Sequence, residues 1–257
     1  MLGVPDLWSR LRPVLRWAFF GALAVMALAG WRKGTLVPPR EILPELLSEP
    51  LQSATERPPF SFEYKGKACR VRPVASYELW GLVVSHNDIK SVADIYHDAS
   101  SVDTKDLCVL WGESLRHLDY LRAKYSSGPF TCYVAWSEVL PSLEMANIGN
   151  NHMITDSPEV RRAIARVHVG DQIHFKGLLV NYQMDDWEGF WRETSTVRDD
   201  SGCEVVYVEA LEILRRGTPG WYALWYLAWV VLLAVPVLYG IAFYVESGKD
   251  SVKLGEL

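Results

Sequence analysis

The chain has 257 residues, with 26 Lys and Arg against 31 Asp and Glu and a formal net charge of −5. Proteins that bind nucleic acid usually carry an excess of basic charge on one face, so this acidic balance makes nucleic acid an unexpected partner. Charged residues make up 22% of the chain, yet none occurs from Gly217 to Val245, which excludes an ordinary amphipathic surface helix there.

The first predicted element is an apolar helix at Trp17–Trp31, which follows an N-terminal tail of residues 1–16. A helix needs roughly 20 apolar residues to cross a bilayer, so a transmembrane anchor here must extend toward the flanking Arg16 and Arg32. The same pattern is typical of a cleaved secretory signal, with a basic start, a short apolar centre and small residues at Ala27–Ala29. The sequence leaves both interpretations open, and both export the region that follows.

Residues 32–59 are rich in proline and are predicted to form a linker, because proline density favours extended, semi-rigid spacers outside a core. Residues 217–245 are predicted to form a second transmembrane helix, with aromatic residues concentrated toward both of its ends, as expected at the two membrane interfaces. Residues 246–257 are then a short polar tail. Since neither apolar segment contains a charge, an ion or proton path through them is not expected.

Two apolar segments around one polar region predict a two-pass membrane protein, in the inner membrane if the protein is bacterial. Basic residues near the segments divide five to five between the two tails and the two ends of the central region, so the positive-inside rule does not choose an orientation. The signal-like N-terminus favours termini in the cytoplasm and an extracytoplasmic (periplasmic) central domain.

Residues 60–216 are predicted to form one β-rich domain, with 23 acidic and 17 basic residues and a formal net charge of −6. Runs of β-branched and aromatic residues bounded by turn residues indicate strands. The predicted strands are Tyr77–Ser85, Asp106–Trp111, Phe130–Trp136, Gln172–Tyr182, Trp191–Arg198 and Cys203–Ile213, with a hairpin turn at Asp199–Gly202. Short helices are predicted at Ile89–His97 and at Pro158–Val167, where Pro158 suits the first helical position.

The run Ala165–Tyr182 resembles the passage from a short helix to the fourth strand in OB-fold domains. The residues that carry the resemblance are Gly170, Asp171, Ile173, Phe175 and Gly177. OB-folds are small β-barrels that act as binding scaffolds, so the resemblance implies no catalytic residues. The predicted fold class is therefore membrane-anchored α+β, with two transmembrane helices flanking a mainly β, OB-like small barrel that contains one or two short helices.

All four cysteines lie in this domain, at Cys69, Cys108, Cys132 and Cys203. An even number fits two disulfides in an oxidising compartment, and three connectivities are possible. Each cysteine also lies among apolar residues, which fits four free thiols in the strands of a cytosolic domain. The sequence leaves both states open, and all four are disulfide candidates.

The most unusual local run is Asn147–Asp156, which is rich in asparagine. One interpretation makes His152 a general base or metal ligand that Asp156 or a neighbouring amide orients, with Asn150 and Asn151 as binding residues. The other is a turn whose asparagine side chains bond to the backbone, with left-handed backbone positions inside it. Asparagine-rich turns are common, so the pattern favours the turn.

Three large rings cluster at Trp187, Phe190 and Trp191. They are predicted either to fill a core, to contact the membrane surface, or to line a groove for a sugar or peptide. We retain all three residues as candidate binding residues.

These features favour a membrane-anchored, non-enzymatic binding or assembly module whose partners are the membrane and a protein or envelope polymer. Sequence motifs for nucleotide, serine-hydrolase and zinc-protease chemistry are absent, so no cofactor and no metal is predicted. Two alternatives stay open. One is an envelope hydrolase or metal-dependent enzyme centred on His152 and Asp156, and the other is a cytoplasmic OB-like module that binds a nucleotide or nucleic acid.

Overall fold

The computed structural model describes residues 4–89, 101–128, 131–198 and 202–254. The chain divides into two compact units. The first combines residues 1–33 with residues 218–257 and is helical where it is described. The second is Gly34–Gly217 and is built mainly from strands.

The helical unit consists of α1 (Val4–Arg32) and α3 (Pro219–Leu254). Their segments Leu11–Arg32 and Pro219–Tyr244, of 22 and 26 residues, have mean hydropathies of 1.6 and 2.2 and are long and apolar enough to cross a membrane. The two helices pack together, and the Tyr239 hydroxyl donates to the Arg12 carbonyl at 2.8 Å. Both helices run further than the predicted apolar segments, since α1 includes most of the expected N-terminal tail and α3 continues into the expected C-terminal tail.

The second unit contains nine strands in its described residues. These are β1 (Leu51–Ala54), β2 (Phe60–Tyr64), β3 (Lys67–Asn87), β4 (Asp103–Leu110), β5 (Lys124–Ser127), β6 (Cys132–Ala135), β7 (Ile148–Ile154), β8 (Gln172–Met184) and β9 (Glu204–Arg215). Seven of them form one mixed sheet, and β5 pairs with β6 as a separate two-stranded sheet. In the large sheet the only parallel pair among the described strands is β7 with β9. The fold is therefore mixed α+β with a large mixed sheet.

The first long strand of the large sheet, β3, pairs with two different long strands. β3 pairs with β4 and also with β8, while β7 and β9 connect β4 to β8. β3 can pair with strands along both of its edges because it bends at two register shifts, one between Pro73 and Ala75 and one between Val83 and Ser85. A shift beside Gly177 bends the β8–β9 pair, and a Cβ at Gly177 would overlap the carbonyl of Tyr207.

A short helix, α2 (Pro158–Ala165), lies between β7 and β8 in the chain. The Ser157 hydroxyl caps it by accepting from the Val160 amide at 3.3 Å, and Pro158 occupies the first turn where its missing N–H costs nothing. Ile164 and Val167 pack into the apolar core of the sheet. The predicted helix is confirmed here, as are the predicted strands inside β3, β4, β8 and β9.

Residues 34–59 differ from the expected linker, because they belong to the folded unit. Val37, Ile42 and Leu46 are buried in an apolar cluster with β3 and β4. Their prolines begin two 3-10 turns, Pro39–Glu41 and Pro44–Leu47, instead of an extended spacer. Proline content indicated that the segment has no long helix, but it did not indicate that Val37, Ile42 and Leu46 are buried.

The asparagine-rich run Asn147–Asp156 is not the turn that the sequence favoured. Most of it is the buried strand β7, which pairs with β4 on one side and β9 on the other. The expected strand Trp191–Arg198 is also wrong, since it contributes only a single bridge between Arg192 and Tyr182. The predicted helix Ile89–His97 falls outside the described residues from residue 90 on, and so do Phe130 and most of the turn Asp199–Gly202.

Candidate functional site

Polar side chains meet on one face of the sheet where β4, β7 and the start of β9 lie side by side. In the antiparallel pair of β4 with β7, Asp106 lies opposite His152. In the parallel pair of β7 with β9, His152 lies opposite Val205. Because side chains alternate along a strand, His152 shares its face with Asn150, and Cys203 is aligned with the same face two residues before Val205. The sheet therefore brings an acid, an imidazole and a thiol together from three distant segments.

The acid and the imidazole form a buried hydrogen bond. The Oδ1 atom of Asp106 lies 2.6 Å from the Nδ1 atom of His152, and their side chains are 0% and 1% exposed. A carboxylate accepts, so Nδ1 carries the proton and donates, which turns the Nε2 atom of His152 toward the other side of the ring. In the part of the chain that the structure describes, the second oxygen of Asp106, Oδ2, has no hydrogen-bond partner.

Two groups approach the Nε2 atom of His152, and one of them also contacts Cys203. The Nη2 atom of Arg192 lies 2.7 Å from Nε2 and the amide nitrogen of Asn150 lies 3.4 Å from it, while the same amide nitrogen donates to the sulfur of Cys203 at 3.5 Å. Arg192 can donate to Nε2 only while the ring is neutral, whereas a protonated Nε2 donates to the sulfur of Cys203. The contacts with Arg192 and with Cys203 therefore belong to two alternative proton arrangements of one cluster.

The surroundings shift the pKa values of all three titratable groups. Burial lowers the pKa of His152, but hydrogen bonds to Asp106 and Cys203 and the charge of Asp106 raise it, to about 9. Burial raises the pKa of Asp106, against the lowering effect of His152. Burial also acts to raise the pKa of Cys203, but the hydrogen bonds of His152 and Asn150 outweigh it and lower the pKa below the usual thiol value. The cluster thus raises the thiolate fraction of Cys203 above that of an ordinary thiol at the same pH.

The residues of the cluster differ in their exposure to solvent. His152 and Asp106 are buried, while Cys203 and Arg192 are partly exposed. A reagent from solvent therefore reaches the sulfur before it reaches the ring. A partly exposed thiol, a buried base against it, and a carboxylate that orients the base form the nucleophile–base–carboxylate arrangement of covalent catalysis.

The structure separates the two residues on which the sequence hypothesis was centred. Asp156 is exposed and accepts from the Tyr207 hydroxyl at 2.8 Å, while the carboxylate bound to His152 is Asp106. Asn150 is part of the cluster, but Asn151 points to the opposite face and donates to the Gly149 carbonyl at 3.2 Å.

Asp106 and Arg192 were missed by the sequence reasoning. Asp106 is 46 residues away from His152, and Arg192 is 40 residues away. A single charged residue inside the apolar run after Lys105 was the available signal, because a buried strand rarely keeps an aspartate without a partner. Nothing in the sequence around Arg192 identified its partner.

The three predicted rings lie near one another in sequence but have different contacts. The Trp187 ring packs on Tyr182 at 5.2 Å between centroids and on Phe190 at 5.4 Å. Phe190 is 61% exposed. The Arg72 guanidinium lies 3.7 Å from the ring centroid of Trp191, a cation–π contact. Trp187 thus adds to the edge of the core, whereas Phe190 is open to solvent.

The four cysteines divide into a pair and two free thiols. Cys108 and Cys132 form a disulfide across 24 residues. Cys69 is buried, and burial together with the nearby Asp103 raises the pKa of its thiol to about 12, which makes it a poor nucleophile. Cys203 lies outside this disulfide and is the thiol at the cluster.

The functional groups of the cluster are a carboxylate, an imidazole, a thiol and a guanidinium. Among the described residues, no three His, Cys, Asp or Glu side chains are grouped so that they could hold a metal ion. Comparison with protein families, with curated proteins and with solved structures finds no match to this chain.

Proposed function

We propose that this chain is a two-pass membrane protein whose β-rich unit carries out acyl transfer through the thiol of Cys203. The observation that carries the proposal is the chain of contacts from Asp106 to His152 and, through the amide nitrogen of Asn150, to the sulfur of Cys203. His152 takes the role of base and Asp106 the role of the group that orients it, as in the triads of thiol and serine hydrolases. This revises the hydrolase hypothesis, in which Asp156 was the partner of His152.

The proposed reaction begins with attack by the Cys203 thiolate on the carbonyl carbon of an ester or thioester. A bond forms between the sulfur and this carbon, the bond to the leaving group breaks, and the leaving group departs with the proton from the Nε2 atom of His152. Water then attacks the acyl thioester while His152 takes a proton from it, which releases the acid and restores the thiolate and the protonated ring. The remaining cysteines favour acyl transfer over disulfide exchange, because Cys69 is buried with a raised pKa and Cys108 is already paired with Cys132.

A colorimetric ester tests this chemistry on the full-length protein in detergent. With p-nitrophenyl acetate we expect a rapid, stoichiometric release of p-nitrophenolate, and mass spectrometry should place the acetyl group on Cys203. Cys203→Ser should lose the burst, and Cys69→Ala, which removes the other free thiol, should keep it. An acetyl group found elsewhere, or an equal burst from Cys203→Ser, would count against the proposal.

The membrane part of the proposal has two supports. Both apolar helices are long enough to span, and α3 contains no charge from Pro219 to Val245. A disulfide between Cys108 and Cys132 persists in oxidising compartments, which favours an extracytoplasmic position for the β-rich unit and cytoplasmic termini.

A protease site inserted at Gly66 tests this orientation. Gly66 lies in the exposed turn between β2 and β3, and exposed loop tips are the positions that tolerate insertions best. In spheroplasts of a bacterial host, added protease should cut this site while a C-terminal tag stays protected. Protection of the Gly66 site in intact spheroplasts would contradict the proposed orientation.

A non-enzymatic binding or assembly role is the second candidate. The pairing order β3, β4, β7, β9, β8 and back to β3, with α2 between β7 and β8, supports an OB-like barrel, which is a binding scaffold. The exposed ring of Phe190 beside Trp187 supports a contact with a protein partner, an envelope polymer or the membrane surface. Crosslinking and pull-down from membranes with wild type and Phe190→Ser should recover fewer partners with the variant, and equal recovery would remove this candidate.

A further inference from the structure

Arg192 is anchored at the cluster by its backbone as well as its side chain. Its amide donates to the Tyr182 carbonyl at 2.8 Å, and its carbonyl accepts from the Tyr182 amide at 3.0 Å, which fixes the residue against β8. From there its guanidinium reaches the Nε2 atom of His152 at 2.7 Å. The amide nitrogen of Asn150 lies 3.4 Å from the same Nε2 atom and 3.5 Å from the sulfur of Cys203, so the guanidinium and the candidate nucleophile belong to one group of contacts around this amide.

In the arrangement seen, Arg192 occupies the nitrogen that acyl transfer requires. His152 can exchange a proton with the sulfur of Cys203 or with a leaving group only through Nε2, since its Nδ1 atom is committed to Asp106. A guanidinium that donates to Nε2 uses the lone pair of the neutral ring and blocks that exchange. Arg192 must therefore turn away before the reaction can proceed.

A carboxylate is the kind of group that can draw Arg192 away. Hydrogen bonds from a guanidinium to a carboxylate are charge-assisted and bidentate, and they are stronger than a single bond to a neutral imidazole. Arg192 and Cys203 are the partly exposed members of the cluster, so a carboxylate from solvent that binds the guanidinium would enter on the side where the sulfur is accessible.

We infer that Arg192 binds a carboxylate of the acyl substrate beside Cys203 and that this binding frees the Nε2 atom of His152. The inference rests on the proposed acyl-transfer site and names its substrate class, an acyl donor that carries a carboxylate near the reacting carbonyl. Arg192 is then a binding residue that also controls when His152 is available.

Two alkylating reagents of similar size distinguish the effect of the reagent's charge from the intrinsic reactivity of Cys203. Iodoacetate carries a carboxylate, and iodoacetamide is its neutral analogue. We measure the alkylation rate of Cys203 in the full-length protein by mass spectrometry and take the ratio of the iodoacetate rate to the iodoacetamide rate. Arg192→Gln is expected to lower this ratio by about tenfold, because the fixed positive charge that concentrates the anion is lost. The matched control Arg72→Gln removes an exposed guanidinium that contacts the neighbouring Trp191, and it should leave the ratio unchanged.

A competition experiment needs no variant. Sodium acetate, added to the wild-type protein at constant ionic strength, should slow the reaction of Cys203 with iodoacetate and spare or accelerate its reaction with iodoacetamide. A reactive Cys203 whose ratio is the same in Arg192→Gln, or whose two rates respond equally to acetate, overturns this inference alone. A Cys203 that reacts no faster than glutathione with either reagent overturns the proposed function and this inference together.

Discussion

Two histidine–carboxylate pairs in the sheet unit have similar geometry and different surroundings. His152 bonds to Asp106 at 2.6 Å, and His174 bonds to Glu78 at 2.7 Å. The first pair is buried, while the side chains of His174 and Glu78 are 22% and 33% exposed. A short hydrogen bond between an imidazole and a carboxylate therefore does not distinguish a candidate site by itself.

The difference lies in what else touches each ring. The ring of His174 stacks on Trp80, with centroids 4.3 Å apart and planes 6° from parallel. The ring of His152 instead meets a thiol, a guanidinium and an amide. An indole offers His174 packing but no proton to transfer, whereas Cys203 gives His152 a reaction partner. The comparison predicts that equal changes in the two pairs will have unequal effects.

The largest difference is expected in stability when each carboxylate is removed. Asp106→Ala should lower the free energy of unfolding by about 3 kcal/mol, because it leaves the buried Nδ1–H donor of His152 without its acceptor. Glu78→Ala should cost less than about 1 kcal/mol, since a partly exposed pair is screened by solvent. Chemical denaturation of the two full-length variants, followed by tryptophan fluorescence, measures both values. Equal losses would show that burial of the first pair carries no special cost.

The next difference concerns reactivity at Cys203. His152→Gln should slow alkylation of Cys203 by iodoacetamide by about tenfold at neutral pH, because the interaction that lowers the pKa of the thiol is lost and the thiolate fraction falls. His174→Gln, the matched change in the other pair, should leave the rate within a factor of two. Circular dichroism of both variants provides the folding control. A slow His174→Gln variant with native folding would mean that the effect is not local to the cluster.

The local elements of the fold were within reach of sequence reasoning. Residues such as Pro158 and Ser157 define the start of α2 by their own chemistry, and β-branched and aromatic runs placed part of β3 and most of β8. The strand β7 was missed because its residues, Asn150 and Asn151 among them, have low strand propensity, and pairing with neighbours on both sides overrides that preference.

The sequence alone predicted only some of the residues of the candidate site. His152 and Asn150 stood out as unusual residues, and Cys203 was noticed only as a possible disulfide partner. Their meeting with Asp106 depends on the register of β4 against β7, and the approach of Cys203 depends on the parallel pairing of β9. Such long-range registers are set by the whole core and leave no local trace in the sequence.

The smallest expected effect is a shift in the pH dependence of Cys203 alkylation. Burial acts to raise the pKa of this thiol, but hydrogen bonds from His152 and Asn150 lower it on balance. An ordinary thiol, with a pKa of about 8.5, loses close to tenfold in rate for each pH unit below that value because the thiolate is the reactive form. Cys203 should keep its alkylation rate as the pH falls from about 8.5 to its own lower pKa and should lose it only below that point.

The pH profile of alkylation by iodoacetamide, with glutathione as the reference thiol, checks this prediction. In His152→Gln the midpoint should move up toward that of glutathione, whereas in His174→Gln it should stay in place, and a wild-type midpoint at or above that of glutathione would contradict the role given to His152.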